Sequence, residues 1–371
     1  MKLRIKTRTR VIIIGVIIWG SFILLSLSSI SQVASITTRK EIESQNFKFN
    51  ETYVYGLIDK QVEISPRYPG SEGIEKARHL IASELPLDKW SIVYQNFTKK
   101  WMNDENITCV NIICEPRERN SSRQAFLLLA HYDTRLWADA DPDVQKRKNY
   151  VPGANDGASG VAVVLELGKI MLDYYKFTNF QLIFFDAEDQ GNINGWDWLI
   201  GSRYYAQSQK FRNENLSFGI LLDMVGAKNA TFRREKYSDQ YASELVTWIW
   251  DEAHDLNFQG YFLNSSGRRI IDDHVPLLEQ GLPVIDIIDD FGIRYTPWHT
   301  TFDNMTYIDE QTLKAVGETL ESALFKLINL KEELPNLSTV IFETPVLFYY
   351  PFNIILFWGF KRAQKRKRRD S

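Results

Sequence analysis

Three continuous apolar runs, each leading directly into ionisable residues, constrain the fold of this chain more than any other feature. AFLLLA leads into His131 and Asp133, QLIFF leads into the acidic stretch 186–189, and GILL leads into Asp223. Continuous rather than alternating apolar runs predict strands that are buried on both faces. Because helical patterns separate these runs, we expect one α/β domain. It would be a three-layer sandwich in which a twisted, mixed and mostly parallel sheet carries helices on both faces.

The spacing of apolar residues predicts the individual elements of this domain. Helices are expected at 71–85, 156–175, near 202–213, 239–256 and 309–330. Strands are expected at 90–97, 107–114, 125–131, 180–189, 218–226 and 283–289. A polar loop at 135–152 is long enough to suggest a role in function. Cys109 and Cys114 lie about 16 Å apart along one predicted strand, so we expect buried thiols rather than a disulfide.

Both ends of the chain are basic, and each adjoins an apolar segment. Residues 1–10 precede the uncharged segment 11–30, which has the length of a membrane-spanning helix. We expect a cytoplasmic tail followed by a transmembrane anchor, with a cleaved signal peptide as the alternative. The aromatic segment 338–360 runs into the basic tail 361–371. We expect a second transmembrane segment there, with an interfacial helix or hairpin as the alternative.

The membrane is therefore an expected partner, and the membrane-proximal segment 31–63 and the domain 64–332 are expected outside the cytoplasm. Twelve of the 44 basic residues fall in the two tails, so the body is acidic and nucleic acid is excluded as a partner. An extracytoplasmic body is consistent with the Asn-x-Ser/Thr sequons. There are nine of them, at Asn50, Asn96, Asn106, Asn120, Asn215, Asn229, Asn264, Asn304 and Asn336.

The ionisable strand ends are expected to meet at one edge of the sheet, where ligands bind in open α/β sheets. Loop motifs add Asp156 in GANDGASG, Asp272 ahead of a short helix, and His299 after Trp298. So many acids close together would be costly without a cation, and Asp, Glu and His are suitable zinc ligands. Each residue alone also has an ordinary interpretation, such as a helix N-cap for Asp156. The prediction of a metal site therefore depends on the joint order of the motifs.

That order resembles the zinc exopeptidase superfamily, and within it most closely the bacterial-type branch of the glutaminyl cyclases, or glutaminyl-peptide cyclotransferases. The resemblance covers about residues 64–330 and implies a twisted mixed sheet with zinc at its carboxyl edge. It rests on RYPGSEG at 67–73, HYDTRLWADADPD at 131–143, GANDGASG at 153–160, FFDAEDQG at 184–191, GSR at 201–203, LLDMVGA at 221–227, DDHVPLLEQGLPVIDIID at 272–289 and WHTTFDN at 298–304.

The resemblance implies that Asp156, Asp189 and His299 hold one zinc ion and that Glu188 is the general acid/base. Zinc would polarise the side-chain carbonyl of an N-terminal glutamine. Glu188 would take a proton from the attacking α-amine and pass it to the leaving ammonia. The expected enzyme is a zinc-dependent acyltransferase that acts on peptide or protein N-termini and forms pyroglutamate.

The resemblance also implies neighbours for this centre. Asp223 and Asp272 would lie near Glu188 and keep a proton available by raising a pKa in the cluster. Trp298 would line the substrate pocket. Trp196 would be the second pocket aromatic, although its spacing from Glu188 is longer than in the family.

A zinc aminopeptidase, a hydrolase of N-terminal residues, is the alternative. There His131 and Asp223 would complete a second metal site with Asp156 as the bridge, two zinc ions would be present, and Glu188 would activate a water. Asp189, where the aminopeptidases usually have Glu, favours the cyclase, as do the DDH and WHT motifs and the loop that begins HYDTRLW. A non-catalytic ectodomain is a third alternative, which the intact ligands disfavour.

Overall fold

The computed structural model describes residues 46–101, 104–291 and 294–333. Both basic tails and the predicted spans 11–30 and 338–360 lie outside these residues. Within the described ranges, no helix combines the length and the apolar character needed to cross a membrane.

A six-stranded sheet forms the centre of the domain. In spatial order its strands are β1 (Trp90–Lys100), β2 (Asn106–Pro116), β4 (Phe180–Phe185), β3 (Ala125–His131), β5 (Leu216–Asp223) and β8 (Val284–Ile288). The last four strands are parallel, whereas β1 and β2 run antiparallel to their neighbours. The mixed, mostly parallel sheet is thus confirmed. Cys109 and Cys114 on β2 are buried free thiols, as predicted.

The helices surround this sheet, and a second, two-stranded sheet of β6 (Phe232–Arg234) and β7 (Phe262–Ser266) was not predicted. In chain order the helices are α1 (Glu51–Glu63), α2 (Glu72–Ser83), α3 (Ala158–Asp173), α4 (Ile200–Ala206), α5 (Gln209–Asn213), α6 (Lys236–Tyr241), α7 (Ser243–Asp255), α8 (His274–Glu279) and α9 (Glu310–Glu333). The expected helices at 71–85, 156–175 and 309–330 correspond to α2, α3 and α9.

Two predictions of single helices are wrong, because each stretch contains a break. The stretch 202–213 is divided between α4 and α5, and the side chain of Ser208 caps the start of α5. The stretch 239–256 is divided between α6 and α7 at Ala242, whose φ of −143° is not helical. Helix α6 also begins before the predicted start, because the Glu235 carboxylate caps its first turn.

Helix α1 lies within the segment 31–63, for which the sequence predicts only a membrane-proximal position. Asn50 caps its first turn. Val54, Leu57 and Ile58 enter the same apolar cluster as residues of α3 and α9. Helix α1 therefore packs as part of the folded body.

Alternate residues of β3 enter two separate apolar clusters. Leu128 and Ala130 join the larger cluster, which also includes residues of α1, α2, α3, α7 and α9. Leu127 and Leu129 join a smaller cluster with residues of α4 and α8. Helices therefore cover both faces of this strand, which is the reason for its continuous apolar sequence.

The topology brings the ionisable strand ends together. Because β4, β3 and β5 are parallel neighbours, their carboxyl ends lie side by side at one edge of the sheet. His131 ends β3, the acids 186–189 follow β4, and Asp223 ends β5. The edge predicted to bind a ligand therefore carries these groups.

Candidate metal centre

Two groups of metal-ligating side chains lie at this edge, and they share Asp156. In the first group, His299 Nε2 lies 2.9 Å from Asp189 Oδ1 and 3.6 Å from Asp156 Oδ2. In the second group, His131 Nε2 lies 3.1 Å from Asp156 Oδ1 and 3.2 Å from Asp223 Oδ1. Within each group the ligand atoms all lie within 4.8 Å of one another. The two oxygens of Asp156 therefore face different histidines.

The side chains of both groups suit zinc. Imidazole nitrogen and carboxylate oxygen are common zinc ligands, and three protein ligands leave a fourth position open for catalysis. All five side chains are buried. Among the described residues, Asp189 Oδ2 has no hydrogen-bond partner. A buried carboxylate oxygen without a partner is costly unless it binds a cation, so the site fits a metal ion.

The surroundings shift the pKa values of the two histidines of the site in opposite directions. Burial lowers the pKa of His299 to about 3, so its imidazole is neutral and Nε2 can offer a lone pair to a metal. Burial also opposes a charge on His131, but the carboxylates of Asp133, Asp156 and Asp223 outweigh it and raise the pKa of His131 well above its usual value. Without a metal, these carboxylates therefore favour the imidazolium form of His131.

Two buried aspartates hold the loops that carry the ligands. Asp303 accepts the backbone N–H of Asp156 at 3.1 Å and that of the preceding residue at 2.8 Å. Asp133 accepts the backbone N–H groups of Glu188 at 3.1 Å and Asp189 at 3.2 Å. The sequence predicted no such role for either aspartate. In the sequence, the only indication of this role is that Asp303 lies in the motif WHTTFDN and Asp133 lies in the motif HYDTRLW.

Three residues of the site have left-handed backbone conformations, which residues other than glycine rarely adopt. They are Ala187 with φ 59°, Met224 with φ 49° and His299 with φ 57°. Ala187 precedes Glu188, and Met224 follows Asp223. Such conformations cost on the order of 1–3 kcal/mol each and persist where the surroundings fix them. Because none of these positions holds a glycine, the sequence gives no indication of these left-handed conformations.

Glu188 lies next to the ligand Asp189 and among further buried carboxyl groups. Burial raises the pKa of Glu188 well above its usual value. The charges of Asp189, Asp272 and Asp273 raise it further, although His131 acts in the opposite direction. Burial, followed by a neighbouring carboxylate, also raises the pKa of Asp272 to about 7. Burial and the neighbouring carboxylates therefore favour the protonated forms of Glu188 and Asp272.

His274 stands in the DDH motif but belongs to neither ligand group of the described residues. Its Nε2 lies 3.3 Å from Glu235 Oε2, and its Nδ1 lies 3.7 Å from Asp286 Oδ2. All three side chains are buried. His274 lowers the pKa of Glu235 to about 2 in spite of burial. Neither Glu235 nor Asp286 was predicted for this region: Glu235 lies outside the quoted motifs, and Asp286 lies within a strand, 13 residues after the second acid of the DDH motif.

Aromatic rings lie against the first ligand group. Trp298 stacks on His299 with 3.7 Å between ring centroids, and Trp198 stacks on His299 at 5.9 Å. Trp198 was not singled out from the sequence. Trp196 instead donates its indole N–H to the carbonyl oxygen of Lys100 at 2.6 Å and lines a groove beside the end of β1. The substrate-binding role of Trp196 stays a prediction.

The chain matches the family described as Peptidase family M28 over residues 111–324. The glutaminyl-peptide cyclotransferase of Boiga irregularis is 27% identical over 313 residues, which cover 71% of this chain and 78% of the relative. Aminopeptidase YwaD of Bacillus subtilis is 27% identical over 244 residues, which cover 62% of this chain and 47% of that protein.

Two solved structures extend this similarity to the fold. Porphyromonas gingivalis glutaminyl cyclase is 33% identical with a TM-score of 0.71, and the match covers 75% of this chain and 99% of that chain. A Zn-dependent exopeptidase from Parabacteroides distasonis is 34% identical with a TM-score of 0.69, and the match covers 75% of this chain and 98% of that chain.

Proposed function

This chain belongs to peptidase family M28 and is a zinc-dependent enzyme, and from that premise we propose that it is a glutaminyl-peptide cyclotransferase. It would convert the N-terminal glutamine of peptides or proteins into pyroglutamate and release ammonia. The observation that carries the proposal is the group Asp156, Asp189 and His299 beside the buried carboxyl group of Glu188. The match to nearly the full length of a bacterial glutaminyl cyclase supports it.

Asp156, Asp189 and His299 would hold the zinc ion, because their ligand atoms converge and Asp189 Oδ2 has no other partner among the described residues. Bound there, zinc would supply a Lewis acid for the side-chain carbonyl of the glutamine. The Asp133 and Asp303 carboxylates keep the two ligand loops in place. This rigid support suits a reaction that depends on orientation.

Glu188 would move the proton during cyclisation. The α-amino nitrogen of the substrate attacks the side-chain carbonyl carbon, a new C–N bond forms, and the bond to the side-chain nitrogen breaks. Glu188 takes a proton from the attacking amine and gives it to the departing nitrogen, which leaves as ammonia. The charges of Asp272 and Asp273 favour the protonated form of Glu188. A raised pKa makes Glu188 a stronger base, which favours the first of these two proton transfers.

Trp298 would form one wall of the substrate pocket in front of the metal ligands. Its ring lies on His299 and contacts Phe291 with 4.9 Å between centroids. A flat apolar wall suits the methylene groups of a glutamine side chain and excludes water from the reacting carbon. Exclusion of water favours attack by the substrate's own amine over hydrolysis.

The test is to incubate the zinc-loaded chain with a peptide that begins with glutamine and to follow the peptide by mass spectrometry. We expect a loss of about 17 Da, one ammonia, with no shortening of the peptide. Release of free glutamine and a shortened peptide would contradict the proposal. A peptide whose N-terminal glutamine is replaced by asparagine is the matched control.

A zinc aminopeptidase is the second candidate, and the shared Asp156 is the observation that favours it. His131 and Asp223 form a second ligand group around the other oxygen of this residue. Two ions bridged by one carboxylate are typical of hydrolytic two-metal sites. Release of the first residue from peptides with varied N-termini would favour this candidate.

We also propose that the body lies outside the cytoplasm, anchored in the membrane through segments 11–30 and 338–360. Of the sequon asparagines in the described residues, Asn304 is half-buried and the others are exposed. Exposure of the acceptor is required for N-glycosylation of a folded chain. Treatment of the full chain, purified from membranes of a glycosylating host, with an N-glycosidase should lower its mass. An unchanged mass would contradict this location.

A further inference from the structure

A stack of side chains connects Arg135 to the ligand His299. The guanidinium carbon of Arg135 lies 4.9 Å from the centroid of the Trp198 ring. The Trp198 ring in turn stacks on the His299 imidazole at 5.9 Å and an interplanar angle of 11°. The indole fits there because Gly191 has no side chain, since a Cβ at Gly191 would lie 2.1 Å from the Trp198 ring. The orientation of the His299 ring is thus limited by a packed aromatic ring.

Arg135 also holds the backbone that carries the ligand Asp189. Its Nη1 donates to the carbonyl oxygen of Asp189 at 2.9 Å, and its Nη2 donates to the carbonyl oxygen of Gly191 at 3.2 Å. Nη1 lies 3.8 Å from Asp189 Oδ1 as well. The side chain of Arg135 is 4% exposed, so water cannot replace these contacts easily.

Asp139 fixes the guanidinium itself. Arg135 Nε donates to Asp139 Oδ1 at 2.8 Å, and Nη2 donates to Asp139 Oδ2 at 2.5 Å. A bidentate pair of this kind holds the guanidinium plane as well as its position. Both residues stand in the loop 135–152, whose length suggested a role from the sequence. The loop would therefore act by presenting Arg135 to the metal centre.

We propose that Arg135 is a positioning residue for the metal centre, which orients two of its three ligands at once. It holds Asp189 through the backbone carbonyl and His299 through the ring of Trp198. The inference rests on the zinc site of the proposed function, but it holds for cyclisation and for hydrolysis alike. Lysine can replace this arginine only in part, because an ammonium group lacks the planar fork that donates in several directions and stacks on an indole.

The experiment compares zinc affinity in the full chain and in the variants Arg135→Gln, Arg135→Lys and Arg119→Gln. Arg119 is the matched control, since its side chain is also buried and paired with two acids, Glu115 and Glu214, at the opposite edge of the sheet. Metal is removed, the thermal unfolding midpoint is measured, and zinc is titrated in competition with a chromophoric chelator. We expect about 10- to 100-fold weaker zinc binding for Arg135→Gln, a smaller loss for Arg135→Lys and no change for Arg119→Gln.

Cobalt substitution adds a measurement that a loss of stability alone would not change. The visible absorption bands of the cobalt-loaded chain report ligand geometry, so they should shift in Arg135→Lys and stay unchanged in Arg119→Gln. Zinc affinity of a folded Arg135→Gln within about threefold of the unmodified chain would overturn the inference. If Arg135→Gln does not fold, unchanged affinity and cobalt bands in Arg135→Lys overturn it instead. An unmodified chain that binds no zinc would overturn the zinc site itself, which is a separate result.

Discussion

Asp303 accepts the backbone N–H of Asp156 through Oδ2 at 3.1 Å, so a residue four positions after the ligand His299 fixes the backbone of a second ligand. Its other oxygen accepts the hydroxyl of Tyr295 at 2.7 Å. The motif WHTTFDN, which contains His299, is thereby linked to the motif GANDGASG, which contains Asp156. The geometry of the ligands depends on this buried carboxylate.

Asp303→Asn should therefore weaken the centre. The amide has one acceptor oxygen in place of two, so at least one buried N–H or O–H loses its partner, at a cost of about 1–3 kcal/mol each. We expect a lower thermal unfolding midpoint and weaker zinc binding, measured by calorimetry and chelator competition. Tyr295→Phe, which leaves both backbone N–H groups paired, should have the smaller effect. Equal zinc affinity in Asp303→Asn and the unmodified chain would argue against this role.

Glu188→Gln should separate catalysis from metal binding. The amide cannot accept and return a proton, while the three zinc ligands are untouched, so zinc content should stay unchanged. We expect kcat to fall about 10²- to 10⁴-fold, measured by ammonia release. Glu279→Gln, at an exposed position of α8, is the control and should keep full activity. Retained turnover in Glu188→Gln would remove this residue from the proton transfer.

Gly191→Ala should displace Trp198, because the added Cβ would lie 2.1 Å from its ring. Overpacking of this kind costs about 1–3 kcal/mol, so the free energy of unfolding should fall by that amount in urea titrations. Gly56→Ala is the matched control, since nothing lies within 4 Å of its added Cβ in helix α1. The control should be neutral or stabilising by up to about 1 kcal/mol. A stable Gly191→Ala variant would contradict the tight packing of the indole.

The stability of the zinc-free chain should depend on pH through its buried carboxyl groups. Burial raises the pKa values of Asp272 and Asp303 to about 7. Such groups bind protons more tightly in the folded chain, so they stabilise it below their unfolded pKa of about 4. This contribution is lost as the pH rises through about 7. Unfolding midpoints of the chelator-treated chain should fall from pH 5 to pH 8, and a rise would contradict these shifts.

The central sheet could be predicted from the sequence because its strands are buried on both faces and therefore read as continuous apolar runs. β3 and β5 are such strands, and their order along the chain gave the parallel pairing. The breaks at Ser208 and Ala242 could not be predicted, because each interrupts the helical stretch for only one or two residues and leaves the apolar period unchanged. Helix α1 was not predicted. The segment 31–63 was assigned only a position next to the membrane segment, and the spacing of its apolar residues was not used.

The ligand groups were predictable because acids and histidines stand at strand ends and in recognisable motifs, whereas the residues that support them were not. Asp303 and Arg135 act on backbone atoms, and no pattern in the sequence indicates which carbonyl or N–H a side chain contacts. The contact between Trp198 and His299 could not be predicted, because the sequence offers two tryptophans only two positions apart, Trp196 and Trp198. Only the path of the loop around Gly191 decides which indole meets His299.

The zinc content of two single variants decides whether Asp156, Asp189 and His299 hold the metal. We expect the zinc-saturated chain to bind one tightly held ion, measured by elemental analysis after dialysis. His299→Ala should lose this ion, and His131→Ala should keep it, because only His299 belongs to the group with Asp189. Two tightly held ions in the unmodified chain, or loss of the ion in His131→Ala with retention in His299→Ala, would contradict the account.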